Sequence, residues 1–120
     1  MPSYLLIVGG ADLDKRSGNP QFVPRMVERY LAWIRALRES GRWVASDKLN
    51  DQVGRRLTCR GGEVTDGPFI EAKDAVGGFF VIRAASLDEA TEVARSCPGL
   101  TLQNGWVEVR LIEEKPPDLR

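Results

Sequence analysis

The chain has 120 residues, and 17 lysines and arginines balance 17 aspartates and glutamates, so the formal net charge is zero. This length fits one domain, which we expect to span residues 1–114, with a frayed tail at 115–120. Without a basic stripe, direct nucleic-acid binding lacks its usual electrostatic source. No apolar run approaches the roughly 20 residues that cross a membrane, so a cytoplasmic location is predicted.

The absence of histidine restricts the available chemistry. With no histidine in the sequence, nucleophile–histidine dyads, histidine-containing zinc sites and imidazole acid–base catalysis are excluded. The two cysteines, Cys59 and Cys97, lie within apolar patterns and have no C-x-x-C partner. We therefore predict that both are small buried core residues, and that the protein holds neither a metal nor a cofactor.

The amino-terminal part predicts a strand followed by a long helix. Residues 4–8 read YLLIV, which is apolar on both faces of an extended segment and ends at two glycines, so a short buried strand is expected. From residue 22 onward, apolar side chains recur at helical spacing beside a charged face. Gly41 stands where a C-terminal cap is expected, so the helix should end near Ser40.

The middle of the chain predicts a hairpin. Residues 43–45 begin a connection toward it. Its strands are expected at 55–59 and 63–65, joined through Gly61 and Gly62, a pair that tolerates the positive φ of tight turns.

The carboxyl-terminal part predicts a strand, a helix and a last strand. Residues 78–82 read GFFVI, again apolar on both faces. Ser86 and Glu89 form a capping box, in which the Ser86 hydroxyl accepts from the Glu89 amide and the Glu89 side chain returns to the Ser86 amide. The helix that follows should stop at Pro98, and residues 106–112 alternate apolar and charged side chains as a half-buried strand does.

This order predicts an α+β fold, the ferredoxin-like split β-α-β-β-α-β pattern with an extra hairpin in the middle. Two helices cover only one face of a four-stranded sheet, yet the strands at 4–8 and 79–82 are apolar on both faces. Soluble proteins rarely leave so large an apolar face in water. We therefore expect a homodimer whose sheets pack face to face or curl into a shared α/β barrel.

The richest segment for chemistry is residues 65–73, which read TDGPFIEAK. Asp66 begins a sequence with turn composition, so it either organises that turn or points into a cleft as an anchor, acid or base. A buried carboxylate near Phe69 and Phe79 would have a raised pKa, which a general base near neutrality requires. Glu71 and Lys73 project to one side of an extended segment, either as part of a site or as a solvated ion pair.

Two further residues have open interpretations. Tyr30 lies on the apolar stripe of the first helix, as a core residue or as a platform for a ligand. Arg110 lies on the face of the last strand opposite Val109, either buried against a carboxylate or lining a dimer interface.

Residues 65–73 resemble the D-G-P-F-x-E-x-K signature of the DGPF family, part of the YCII-related (YciI-like) superfamily. The opening strand, Gly77-Gly78-Phe79, and the segments 86–90 and 107–110 are similar to the family as well. The resemblance implies a dimeric α+β barrel in which the signature residues border a cleft in each subunit. It also implies a regulatory context, because members are associated with extracytoplasmic-function sigma factors.

Two departures from the family limit what is carried over. Relatives proposed to be enzymes have a histidine in the first helix, where counting back from Gly41 reaches Tyr30 in this chain. Many members also have His-Gly before the last strand, where this chain has Asn104-Gly105. A histidine-dependent mechanism is therefore not transferable.

The leading hypothesis is a small cytoplasmic homodimer that binds an unknown small molecule near the Asp66 loop, linked to a sigma-factor system. The ligand-binding candidates are Phe69, Glu71, Lys73, Phe79, Arg110 and Tyr30. The alternative is an enzyme of lyase or dehalogenase type with Asp66 as general acid or base and Lys73 or Arg110 holding an anionic substrate. A third hypothesis is a purely structural interaction module.

Overall fold

The computed structural model describes residues 1–10, 20–50, 54–68 and 74–115. Within these ranges, no helix is long and apolar enough to cross a membrane. The elements in chain order are β1 (Ser3–Gly9), α1 (Phe22–Glu39), β2 (Trp43–Lys48), β3 (Leu57–Arg60), β4 (Glu63–Asp66), β5 (Val76–Arg83), α2 (Leu87–Arg95), a 3₁₀ turn (Pro98–Thr101) and β6 (Trp106–Leu111).

The described strands form two antiparallel sheets. The larger sheet has four strands in the order β2-β5-β1-β6, and β3 pairs with β4 in a separate hairpin. The mixed α+β architecture is consistent with the predicted ferredoxin-like fold. Strands β1 and β5 lie in the interior of the larger sheet, which agrees with sequences that are apolar on both faces.

The prediction that residues 43–45 only begin a connection is wrong, because they open β2, an edge strand of the larger sheet. Ser46 lies opposite Phe80 and Asp47 opposite Phe79, and the register shifts between Trp43 and Ala45. The segment WVASDK lacks strict alternation, so its extended conformation depends on pairing with β5 rather than on its own pattern.

The core lies between one face of the larger sheet and the two helices. Tyr4, Leu6 and Val8 of β1 point to this face together with Phe80 and Ile82 of β5. The helices contribute buried residues to the same cluster: Trp33, Leu37, Ala90 and Ala94. The Trp33 ring meets the Phe80 ring edge to face at 4.7 Å between centroids, and its Nε1 donates to the Ser96 hydroxyl at 2.8 Å. An aromatic pair of this geometry stabilises a core beyond the area it buries.

The helix ends were partly predicted by local rules. As expected, α1 ends before Ser40, and Gly41 adopts a positive φ of 75°. The Ser86 hydroxyl accepts from the Glu89 amide at 3.1 Å, but the reciprocal half of the capping box is wrong. The Glu89 carboxylate instead accepts from the Ala85 amide and pairs with Arg42 at 3.1 Å. The hydrogen bond from Arg42 and then that from the Ala85 amide lower the pKa of Glu89.

The hairpin is confirmed at 57–60 and 63–66, with Gly61 and Gly62 at positive φ. Of the two cysteines, Cys97 is buried as predicted, whereas Cys59 is exposed and the prediction for it is wrong. The physical reason is that β3 and β4 pair only with each other, so no second layer of the described chain covers this strand. The tail from residue 116 lies outside the described residues, and the domain boundary at 114 stays a prediction.

Replacing the fully buried Leu6 by alanine should lower the free energy of unfolding by about 2–5 kcal/mol, because the change removes apolar contacts and leaves a cavity. Leu87→Ala is the matched control, since Leu87 is 54% exposed and its truncation should change stability by less than about 0.5 kcal/mol. Urea denaturation followed by circular dichroism measures both. Equal losses in the two variants would contradict the placement of Leu6 in the core.

Candidate functional site

The second face of the larger sheet presents a compact apolar surface. The strand registers align its side chains in two rows that each cross all four strands. We term this surface the open face, and its rows are Asp47, Phe79, Ile7 and Glu108, followed by Ala45, Val81, Leu5 and Arg110.

The open face has an apolar centre and a charged rim. Its four central side chains are half-buried, although both described helices pack on the opposite face. Two charges of the rim face each other on β6, where Arg110 Nη1 donates to Glu108 Oε2 at 3.1 Å with both side chains more than half exposed. Arg110 is therefore not buried against a carboxylate. It lies at the edge of a surface that also contains Phe79, one of the other candidates.

The Asp66 loop lies at the base of the hairpin. The Asp66 carboxylate is 42% exposed, and its Oδ2 accepts from Arg55 Nη1 at 3.0 Å. The turn is closed by other groups, because the Gly67 amide donates to the Arg56 carbonyl at 2.7 Å and the Thr58 hydroxyl donates to the Gly67 carbonyl. Gly67 has a φ of 126°, a conformation that favours glycine, and the Gly67–Pro68 bond is cis.

These contacts bear on the two interpretations of Asp66. The backbone of Gly67, rather than the Asp66 carboxylate, makes the hydrogen bonds that shape the turn: its amide donates to Arg56 and its carbonyl accepts from Thr58. The Asp66 carboxylate lies at the surface, where Arg55 is its cationic partner. Its role as acid, base or anchor stays a prediction.

Three of the candidate ligand residues, Phe69, Glu71 and Lys73, lie outside the described residues. Of the predicted site residues, the structure describes the positions of Asp66, Phe79, Arg110 and Tyr30. Phe79 and Arg110 share the open face in adjacent rows.

Tyr30 lies on the other side of the sheet from Phe79 and Arg110. Its ring stacks on Phe80 at 6.0 Å between centroids and an interplanar angle of 5°, and its hydroxyl is 3.8 Å from Cys97 Sγ. Burial, followed by the neighbouring Cys97, raises the pKa of Tyr30 well above its usual range. The structure therefore gives Tyr30 a packing role in the core and does not bring it to the open face.

One feature of the surface was missed at the level of sequence. The Arg38 guanidinium lies 4.3 Å from the centre of the Trp43 ring, and both residues line a groove between α1 and β2. The available signal was the spacing of Arg35 and Arg38, which puts two cations on one side of the helix just before a tryptophan. That signal is weak, because charged residues at this spacing usually form a solvated face.

Comparison with known proteins places these observations in a family context. Residues 13–115 match the family described as YCII-related domain. An uncharacterised protein of Rhizobium meliloti (strain 1021) is 46% identical to this chain over 57 residues. The alignment covers 47% of this chain and 46% of the relative, so it spans about half the length of that curated relative.

The contact between Tyr30 and Cys97 leads to a prediction about thiol reactivity. In a Cys59→Ser background, iodoacetamide should alkylate native Cys97 at least about tenfold more slowly than the urea-unfolded chain. The Cys97 side chain is buried, and burial raises the pKa of its thiol, so less of the reactive thiolate forms at a given pH. Mass spectrometry of timed samples measures the rates, and fast alkylation of the native protein would contradict the packing described.

Proposed function

Because the chain belongs to the YCII-related domain family, we propose that it is a homodimer that binds a small molecule in a cleft bordered by the Asp66 loop. In this proposal the open faces of two copies meet. A regulatory role beside an extracytoplasmic-function sigma factor is part of the proposal, and its support is the family resemblance of residues 65–73.

The observation that carries the dimer is the apolar centre of the open face. Leu5, Ile7, Phe79 and Val81 occupy the middle of the surface, and both described helices lie on the other side of the sheet. Apolar area is buried at a gain of about 25 cal/mol per Å², so a second sheet face is a favourable cover. A second copy of the chain supplies such a face with the same chemistry.

The size of the open face indicates that other surfaces must contribute to the dimer interface. Four strands spaced by about 4.8 Å and about six residues long give a surface of roughly 20 Å by 20 Å. A typical interface takes about 800 Å² of accessible surface from each partner, which is more than such a flat area provides alone. The hairpin can add to it, because Leu57 and Val64 are each 68% exposed.

The proposed ligand site combines residues of the open face with the Asp66 loop. Phe79 offers an aromatic ring, Arg110 a cation and Asp66 an anion, which together suit a small molecule with both apolar and charged parts. The support is that Phe79 and Arg110 lie in adjacent rows of one surface, and that the Asp66 carboxylate is accessible. The pairing of Arg110 with Glu108 holds the guanidinium at the rim, where a ligand carboxylate or phosphate could compete for it.

Sedimentation equilibrium tests the dimer. The wild type should have about twice the chain mass of 13.3 kDa, whereas Ile7→Glu should sediment as a monomer because an unpaired carboxylate in the apolar centre opposes burial. Val27→Glu is the matched control, since Val27 is an exposed apolar residue of α1 away from the open face, and it should remain dimeric. A wild type that stays monomeric at about 100 µM would overturn the dimer.

A thermal-shift screen of metabolites on the wild type and Asp66→Asn tests the binding site. The variant should fold normally, because an exposed ion pair such as Asp66–Arg55 contributes less than about 1 kcal/mol. A ligand of the proposed site should raise the midpoint of the wild type by several degrees and leave the variant unchanged. If every ligand acts equally on both proteins, the site at Asp66 is wrong, while the dimer is judged separately by its mass.

A further inference from the structure

We propose that the groove between α1 and β2 is a second binding site, one that takes small organic anions with an apolar body. The groove has a volume of about 300 Å³. This lies at the lower end of the range for small-molecule sites. Its lining residues are Leu31, Ile34, Arg35, Arg38, Trp43 and Ser46.

The lining combines apolar and aromatic side chains with two arginines. Leu31, Ile34 and Trp43 supply apolar and aromatic surface, and Leu31 is exposed although it is a large apolar residue. Arg35 and Arg38 are three residues apart, so both guanidinium groups project on the same side of α1. A ligand that matches this arrangement has an apolar body and a negative group at one end.

No ion pair within the described residues engages the two arginines that line the groove. Neither Arg35 nor Arg38 forms an ion pair with a carboxylate of the described residues, in contrast to Arg42, which pairs with Glu89. No acidic side chain is among the lining residues. A carboxylate or phosphate entering the groove would therefore meet two cations without displacing an acidic side chain of the described residues, which is the condition for charge complementarity.

The contact between Arg38 and Trp43 preorganises the groove for a ligand. The guanidinium carbon lies 4.3 Å from the centre of the Trp43 ring, a cation–π geometry that restricts the arginine side chain before a ligand arrives. The Trp43 indole donates from Nε1 to the Ser46 hydroxyl oxygen at 3.0 Å. Because that bond uses Ser46 as an acceptor, the hydroxyl hydrogen can be donated to an oxygen of the ligand.

The groove is separate from the site proposed at Asp66. Trp43 and Ser46 lie opposite Ile82 and Phe80, which belong to the helix-covered face of the sheet. Asp66 lies on the hairpin, and Phe79 and Arg110 lie on the open face. The two proposals can therefore fail independently.

The test is a nuclear magnetic resonance titration of the full chain with 1-naphthoate at low ionic strength. The chain has three tryptophans, so its indole N–H signals are few and Trp43 can be assigned with a Trp43→Phe variant. We expect naphthoate to shift the Trp43 indole signal with a dissociation constant of about 1 mM, as befits a ligand of about 13 heavy atoms. The buried Trp33 signal, whose Nε1 is bonded to Ser96, should stay unchanged.

Two comparisons test whether naphthoate binding depends on the negative charge of the ligand and on the two arginines of the groove. The neutral analogue 1-naphthamide has the same apolar body and should bind at least about fivefold more weakly, and Arg35→Gln/Arg38→Gln should weaken naphthoate binding by a similar factor. Arg25→Gln is the matched control, because Arg25 is an exposed residue of α1 outside the groove, and it should bind naphthoate like the wild type.

Several outcomes would overturn the proposal. They are equal binding of the acid and the amide, unchanged affinity in the double variant, or equal loss in Arg25→Gln, which would indicate a general charge effect. Naphthoate binding that disappears in Asp66→Asn would assign the probe to the other site. A Trp43 signal that shifts with protein concentration and ignores naphthoate would indicate that this edge of the sheet binds another protein chain instead.

Discussion

The structure depends on one constraint, which is that its two interior strands are apolar on both faces while the helices cover only one face. Strands β1 and β5 lie side by side in the middle of the larger sheet, and every second side chain of each points away from α1 and α2. Leu6 and Ile82 are fully buried, whereas Ile7 and Phe79 on the opposite face are half-buried. A sheet built this way has one face packed against helices, while its other face is not covered by either described helix.

The same constraint separates the chemistry of the molecule into two regions. Neighbouring residues of one strand point to opposite faces, so Phe80 packs under the Tyr30 ring while Phe79 lies on the open face. Residues that look alike in sequence therefore acquire different roles. The aromatic cluster on the helix side stabilises the fold. The open face has an apolar centre with Arg110 at its rim, and the groove beside Trp43 presents cations at the edge of the sheet.

The hairpin follows different rules from the rest of the chain. Its turn is formed by local chemistry, since Gly61 and Gly62 adopt the positive φ that the connection needs, and its base is closed by bonds to the Gly67 backbone. Its strands pair only with each other, so its side chains, Cys59 among them, meet solvent in the single chain. A two-stranded hairpin is marginally stable alone, which is a physical reason to expect that it is supported by another surface.

The sequence by itself determined the elements whose signals are local. These signals are the 3.6-residue period of α1, the two-sided apolar runs of β1 and β5, and the cap at Gly41. Each arises from residues that are close together in the sequence. These local signals were sufficient to predict the α+β class. For the functional site, they indicated only which types of residue could take part.

Tertiary structure alone decided which distant residues meet. The pairing of β2 with β5 and the ion pair of Glu89 with Arg42 depend on contacts between segments far apart in the chain. The bond from the Ala85 amide to Glu89 and the placement of Arg38 on Trp43 depend on the path of the chain beside a helix end. Such contacts leave no periodic pattern, because each is selected by the packing of the whole fold rather than by the residues beside it.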